Sequence, residues 1–244
     1  MIALNPNKRL LSFIFLLLFV FAYFHIQAQP KQVPSDLVEF AGEKYGTNDF
    51  LVNGWKYYPE HFNAKGSPNF LNLSWTDGFL STSGGETFEG LALRYNLQMD
   101  EVVLRQTLSD GLPAFVMLNK DFISSFTIQS HTFIKANNLT PDMQIMGYVE
   151  VVYSGGISLY LKHQKEFVGN YNANTPEGSF SKQKTTKYIL INNQLVRVQK
   201  KKALLALFPE HKKQIKKFMS SNKIRFKKAT NPQLRKLLQY CDEL

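Results

Sequence analysis

The chain has 244 residues and a mass of 28.0 kDa; 44% of its residues are hydrophobic and 14% aromatic, and 29 lysines and arginines against 19 aspartates and glutamates give a net charge of +10. Such a composition can bury the core of one large or two small domains, which excludes a chain that is disordered throughout. The single cysteine, Cys241, excludes an intramolecular disulfide.

The N-terminal 28 residues are typical of a secretory signal peptide. Lys8 and Arg9 precede an apolar run over residues 10–24, and the small residue Ala28 ends the segment. We therefore expect export, with cleavage near Ala28. An uncleaved membrane anchor is the alternative, but the apolar run is short for it, because a spanning helix needs about 20 residues.

Residues 29–48 form a polar stretch that we interpret as a linker. Pro30 and Pro34 disfavour regular structure at its start, and Asp36 is placed to cap a short helix over residues 37–45. The first folded domain is therefore expected to begin near residue 49.

Residues 49–199 are predicted to form an antiparallel β domain of about ten or eleven strands. Apolar and polar residues alternate, as around Leu91, Leu93 and Tyr95, and turn signals such as Asp110-Gly111 separate the alternating stretches. Short connections favour antiparallel neighbours. The predicted fold class is mainly β: an antiparallel meander forming a curved sheet, half-barrel or sandwich, with two or three C-terminal helices packed on it. Besides the hairpin described next, the predicted strands cover residues 50–59, 75–80, 88–97, 102–107, 113–118, 122–128, 132–135, 188–191 and 195–198.

The clearest strand pair is a hairpin over residues 147–167, around which the sheet is expected to assemble. Val149 and Val151 alternate on its first arm and Leu159 continues the pattern on its second, which predicts that these residues share one buried face. The turn between the arms, Ser154-Gly155-Gly156, is expected to use the positive φ that glycine allows. The opposite face is predicted to be only partly apolar, with Tyr148, Glu150, Val152, Tyr160, Lys162 and Gln164.

Residues 200–244 are predicted to form a helical C-terminal subdomain, because the hydrophobic period changes there to that of a helix. A first helix contains residues 204–208, a second runs over residues 210–221 with Pro209 in its first turn, and Asn231 caps a third. Each helix has one apolar stripe, which must be buried, and the β-sheet is the nearest surface.

Charge is divided unevenly along the chain. Residues 29–181 carry 10 basic and 16 acidic residues, whereas residues 182–244 carry 17 basic and 3 acidic residues. The basic end would attract an anionic membrane surface or an acidic envelope protein; no nucleic acid partner is expected for an exported chain. The alternative is that these charges only solvate the outer faces of packed helices. The candidates for anionic-surface binding are Lys212, Lys213, Lys216, Lys217, Lys223, Arg225, Lys227 and Lys228.

No catalytic or metal-binding motif is recognisable in the sequence. His61, His131 and His163 stand in no metal-ligand spacing, so we interpret them as surface or hydrogen-bonded residues; a site assembled from distant strands stays open. Cys241 shares a helical stripe with leucines and is interpreted as a core residue rather than a nucleophile. No cofactor, metal or catalytic residue is therefore predicted.

Three short sequence patterns and the lysine-rich C-terminal end are similar to those of a protein family. The patterns are Gly-Ser-Pro-Asn-Phe at residues 66–70, Leu-Arg-Tyr-Asn-Leu at 93–97 and Gly-Tyr-Val-Glu-Val-Val-Tyr-Ser-Gly at 147–155. With them the chain resembles a family of exported proteins of unknown function found in Bacteroidota, and the similarity spans most of the mature chain. The resemblance implies a signal peptide and a periplasmic or envelope-associated location in a bacterium, and it brings no catalytic residues.

These observations lead to one functional interpretation and two alternatives. We interpret the chain as a non-enzymatic binding or scaffolding module of the cell envelope. One alternative is a carrier that holds an apolar ligand in the concavity of the curved sheet, lined by Trp55, Trp75, Phe79 and Tyr95. The other is an envelope hydrolase, which would require His, Asp or Ser groups from separate strands to converge in a cleft.

Overall fold

A computed structural model describes residues 54–108, 111–139 and 145–244. The predicted signal peptide, the linker with its short helix and the start of the first predicted strand lie outside these residues. Within them the protein is mainly β: a large antiparallel sheet of eleven strands, curved and not closed, with three C-terminal helices. The predicted fold class is confirmed.

The described residues contain thirteen strands, which are β1 (Trp55–Lys56), β2 (Thr76–Thr82), β3 (Thr87–Asn96), β4 (Glu101–Thr107), β5 (Pro113–Met117), β6 (Ile123–Ile128), β7 (His131–Lys135), β8 (Tyr148–Ser154), β9 (Ser158–Gln164), β10 (Phe167–Val168), β11 (Ser179–Phe180), β12 (Lys184–Ile191) and β13 (Gln194–Arg197). Eleven of them form the main sheet in the order β1-β5-β4-β3-β2-β6-β7-β8-β9-β12-β13, and β10 pairs with β11 separately. Most neighbours are therefore joined by short turns, as the sequence predicts.

The connection from β5 to β6 explains why the sheet curls. β6 pairs with β2 rather than with β5, so four strand spacings, about 19 Å on a flat sheet, separate β5 from β6. Residues 118–122 make this connection, and Lys120–Phe122 form a 3-10 turn instead of an extended chain. A fully extended link of this length would only just span that distance, at about 20 Å. Because the 3-10 turn shortens the link, the sheet must bend to bring the two strands together.

Aromatic and aliphatic side chains fill the concave side of this curl. Alternation along β3 buries Leu91, Leu93 and Tyr95, and Phe70 from a preceding loop packs on them with its ring edge-on to Phe133, the centroids 5.1 Å apart. Burial of such side chains contributes about 1.5–3 kcal/mol each. The remaining members of this core are Leu80, Leu97, Val102, Leu104, Val116, Leu118, Ile123, Phe126, Ile128 and Tyr148.

β8 and β9 confirm the predicted hairpin but correct its faces. A shift of register next to Val152 marks a bulge in β8. Because of it, Val152 lies with Leu159 in the core beneath the helices, whereas Val149 lies with Tyr160 in a separate cluster. Simple alternation, which places Val149 with Leu159 and Val152 with Tyr160, is therefore wrong at this strand pair.

Three helices follow the last strand: α1 (Lys201–Leu207), α2 (Lys212–Ser221) and α3 (Asn231–Asp242). The predicted helices are confirmed, with two corrections at their starts. Pro209 lies in the turn before α2 rather than in its first helical turn. Thr230 rather than Asn231 precedes α3 as its cap, and its backbone N–H donates to Gln233 Oε1 at 3.1 Å. None of the helices that the structure describes is both long and apolar enough to cross a membrane.

The apolar stripes of the helices are buried against the second half of the sheet, where α3 contacts β8 and β9. The shared core explains why the stripes are needed, since a helix with an unburied stripe would not be stable on its own. From the C-terminal subdomain, the shared core contains Leu204, Leu205, Phe208, Ile215, Met219, Ile224, Phe226, Leu234, Leu237, Leu238 and Cys241. From the sheet and its turns it contains Val152, Ile157, Leu159, Leu161, Ile189 and Val198.

Candidate functional site

The basic surface lies on α2 and on the loop that follows it. Ile215 and Met219 are buried four residues apart in α2, which leaves the four lysines of this helix in two exposed rows on its other side. The loop between α2 and α3 alternates in the same way, with Ile224 and Phe226 buried between exposed cations. We call the basic surface the eight exposed residues Lys212, Lys213, Lys216, Lys217, Lys223, Arg225, Lys227 and Lys228.

The charge of the basic surface has no partner within the described chain. None of its eight residues forms an ion pair with an acid that the structure describes. Three acids lie beyond residue 181: Glu210, Asp242 and Glu243. Asp242 is bound to the hairpin turn, and Glu243 accepts from Gln239 at 3.1 Å. Since like charges at i and i+4 repel each other on a helix, an external anion would relieve a repulsion that the fold leaves in place.

Asp242 fixes the end of α3 to the turn of the β8–β9 hairpin. Its carboxylate accepts from the backbone N–H of Gly156 at 2.9 Å, from that of Ile157 at 2.8 Å and from the hydroxyl of Tyr153 at 2.8 Å. Neither glycine of this turn has a positive φ, so the predicted reason for them is wrong. A Cβ at Gly155 would lie 2.2 Å from Asp242 Oδ2, which indicates that the glycines make room for the carboxylate.

A buried polar network fixes the other end of α3. Glu150, only 2% exposed, accepts from Asn231 Nδ2 at 2.5 Å and lies 2.5 Å from His131 Nδ1 and 2.7 Å from His163 Nε2. The sheet order explains this meeting, because β8 with Glu150 lies between β7 with His131 and β9 with His163. The ring of Phe70 packs on both imidazoles, with centroids 5.0 and 5.1 Å away.

The electrostatics of this network favour an ionised Glu150. Burial by itself would raise the pKa of Glu150, but hydrogen bonds from His131 and His163 outweigh it and lower that pKa below its ordinary value. The imidazoles contact the carboxylate directly, as hydrogen-bonding partners. Among the described residues, no group of His, Cys, Asp and Glu is arranged to hold a metal ion.

A hydroxyl extends the network towards β12. Thr185 Oγ1 lies 2.9 Å from His163 Nδ1, so Thr185, His163 and Glu150 form a hydroxyl–imidazole–carboxylate chain of the kind that can activate a nucleophile. However, Thr185 stands directly opposite His163 in the β9–β12 ladder, where cross-strand hydrogen bonds commonly stabilise a sheet. Gln183 Nε2 also lies 3.1 Å from the same nitrogen. Thr185 does not line the cleft of about 490 Å³ near the start of β8. The side chains that the hydrolase alternative requires therefore converge, but not in that cleft.

A separate polar group lines a cleft of about 490 Å³ beside the start of β8. Lys162 Nζ lies 3.0 Å from both carboxylate oxygens of Asp100 and donates to the carbonyl of Tyr148 at 3.1 Å. Tyr95 donates its hydroxyl to the same carboxylate. Burial lowers the pKa of Lys162, and the attraction of Asp100 opposes that shift. Because this ion pair and the amide of Gln164 line the cleft, it suits a polar ligand better than an apolar one.

The four residues predicted to line an apolar cavity are not brought together. Tyr95 is part of the core and 1% exposed, whereas Trp55 is 73% exposed on the edge strand β1. Trp75 is half-buried and stacks on Phe115, with ring centroids 5.2 Å apart. Phe79 alternates with the buried Leu80 and therefore lies on the other face of β2. In these positions the four side chains do not line a common cavity, so they do not support the apolar-carrier alternative.

The Glu150 network is the part of the structure that sequence reasoning missed. The sequence pattern places Glu150 on a partly polar face and gives no link between it and the histidines. The available signal is that His131 directly precedes the predicted strand over residues 132–135 and that Glu150 and His163 lie on the two arms of the hairpin that follows, each two residues from an apolar residue. Using it requires the strand register, which a single sequence does not supply.

Comparison with protein-family models, with curated proteins and with solved structures finds no match to this chain.

Proposed function

We propose that the protein is an exported, non-enzymatic binding module of the cell envelope that attaches to an anionic membrane surface through the basic surface. The observation that carries this proposal is the combination of eight exposed cations with the lack of any acidic partner for them in the described chain. Helix α2 and the loop after it, which carry these cations, are packed into the core shared with the sheet by Ile215, Met219, Ile224 and Phe226. The cations are therefore held on one fixed support and can meet a surface together.

The expected strength follows from general membrane electrostatics. A lysine or arginine near an anionic bilayer contributes about 1 kcal/mol, and the attraction falls off within a Debye length. The four lysines of α2 alone would then contribute about 4 kcal/mol, which corresponds to roughly three orders of magnitude in partitioning. Attachment of this kind should be strong at low salt and weak at high salt.

The test is co-sedimentation of the mature chain, residues 29–244, with vesicles that contain either neutral lipid only or 30% anionic lipid. The test variant carries Lys212, Lys213, Lys216 and Lys217 as Gln. A matched control removes the same charge from exposed positions outside the basic surface, with Lys182, Lys184, Arg197 and Lys200 as Gln. We expect the wild type and the control to bind anionic vesicles at low salt and the test variant to lose most of this binding.

Two results would contradict the proposal. One is equal partitioning of all three proteins with no effect of salt; the other is a control that loses as much binding as the test variant, since only the total charge would then matter. Binding to polyglutamate without binding to vesicles would replace the membrane by an acidic protein as the partner.

A further inference from the structure

A second cationic group lies on the opposite side of the sheet from the core that contains Phe70, Leu93 and Tyr95. Leu93, Tyr95 and Leu104 point into that core, so Arg94 and Arg105, which alternate with them on β3 and β4, point outward. Arg105 stands opposite Ala92, two residues from Arg94, which makes the two arginines diagonal neighbours on adjacent strands.

An aromatic ring holds the two guanidinium groups in place. The Cζ atom of Arg94 lies 4.0 Å from the centroid of the Trp75 ring, and that of Arg105 lies 5.7 Å from the same centroid. Because both groups lie against one ring, their Cζ atoms are at most about 10 Å apart, a separation that a single oxyanion can bridge. Phe115, opposite Arg105 in β5, stacks on Trp75 and supports it from the neighbouring strand.

Both arginines lack an anionic partner in the described chain. Neither guanidinium takes part in an ion pair or a hydrogen bond there, and the Nε–H of Arg94 is enclosed without an acceptor. Asp77 stands opposite Ala92 in β2 but pairs with neither of them. Residues 29–181 carry six more acidic than basic residues. Two adjacent arginines without an ion pair are therefore an exception in this region, and they indicate an external anionic partner.

The arginines also oppose each other electrostatically. Burial lowers the pKa of Arg94; nearby Tyr57 counteracts this shift, and the charge of Arg105 adds to it. A bound anion would relieve that repulsion and would accept the paired N–H donors that a guanidinium presents in a fixed fork.

We propose that Arg94 and Arg105, held on the ring of Trp75, form a binding site for a doubly charged oxyanion such as the phosphate of a phosphate monoester. Two guanidinium groups balance two negative charges, and planar forks suit the geometry of phosphate oxygens. The site lies on β3 and β4, which take no part in the helix-bearing core, so it does not depend on the function proposed for the basic surface.

Tryptophan fluorescence gives a direct measurement of this site. The chain has two tryptophans, and the 73% exposed Trp55 can be replaced in a Trp55→Phe background, so that Trp75 alone reports. Inorganic phosphate is titrated at pH 8 against chloride at constant ionic strength. We expect a saturable change in Trp75 emission with phosphate and none with chloride.

Three substitutions in that background test Arg105 against a control arginine. Arg105→Gln should weaken phosphate binding at least tenfold. Arg105→Lys should weaken it less, because lysine keeps the positive charge but lacks the forked N–H donors of a guanidinium. The control Arg197→Gln, which changes an exposed arginine on β13, should leave phosphate binding unchanged. The four-lysine variant of the basic surface should bind phosphate like the wild type. The proposal is overturned by the lack of a saturable change, by unchanged binding in folded Arg105→Gln, or by an equal loss in Arg197→Gln.

Discussion

Replacement of Asp242 by alanine tests how the helical subdomain is attached to the sheet. The carboxylate accepts two backbone N–H groups of the hairpin turn, at 2.9 Å from Gly156 and 2.8 Å from Ile157. A hydrogen bond to a charged group contributes about 1.5–3 kcal/mol, which we reduce to about 1 kcal/mol each because Gly156 is exposed to solvent. Removing a negative charge from a helix C-terminus returns about 0.5 kcal/mol. The expected loss in the free energy of unfolding is therefore about 1.5 kcal/mol.

The assay is urea denaturation of the mature chain followed by circular dichroism. Asp242→Asn keeps one acceptor oxygen and should lose about half as much stability as Asp242→Ala. Glu243→Ala is the matched control, because Glu243 accepts only from the exposed side chain of Gln239; its stability should stay within about 0.5 kcal/mol of the wild type. A free energy of unfolding for Asp242→Ala equal to that of the wild type, or an equal loss in Glu243→Ala, would refute the attachment described here.

Three further predictions concern buried groups. The lowered pKa of Glu150 means that its ionised form stabilises the fold above pH 4.5 and that this contribution is lost as the pH falls through the folded-state value. Between about pH 5 and about pH 3, Glu150→Gln should thus lose less stability on acidification than the wild type; equal losses would contradict this reasoning. Burial raises the pKa of Cys241 to about 12, so a thiol reagent at pH 8 should modify it only as fast as α3 opens, and rapid modification of the native protein would show a helix that is not docked. Lys165 Nζ donates to the backbone carbonyls of Ser67 at 2.7 Å and Asn69 at 2.6 Å. Lys165→Met should therefore reduce the free energy of unfolding, measured by urea denaturation, by about 2 kcal/mol. Full stability in this variant would mean that the loop containing Ser67 and Asn69 does not depend on these bonds.

Local patterns predicted most of the elements correctly. The turn at Asn192 and Asn193 illustrates why: asparagine tolerates the left-handed region, and both residues occupy it, with φ of 50° and 58°. The helices were predictable in the same way, because their apolar stripes follow a period that the sheet region lacks.

What depended on the order and register of the strands was not predictable. Nothing local to β5 or β6 reveals that β6 pairs with β2, and nothing near Val152 reveals the bulge that changes the facing of the hairpin. The Glu150 network was not predictable for the same reason, since its members come from three strands and one helix. Asn231 was expected to cap α3 because asparagine is a common cap, but its side chain is used by Glu150 instead.

The two candidate binding sites differ in the same way in whether the sequence predicts them. The basic surface could be predicted because charge and helical period are both visible in a single sequence, and all eight candidates are exposed in the structure. The pair formed by Arg94 and Arg105 could not, because it requires knowing that β3 and β4 place the two arginines on one diagonal beside Trp75.

The most direct test of the central claim is to ask which side of the protein meets an anionic bilayer. A dye is attached at Ser220→Cys on α2 or, in a second protein, at Ser83→Cys in the exposed turn between β2 and β3, and vesicles with 30% anionic lipid carry a head-group quencher. We predict salt-sensitive quenching of the dye at residue 220 and little quenching at residue 83. Equal quenching at both positions, or stronger quenching at residue 83, would contradict attachment through the basic surface.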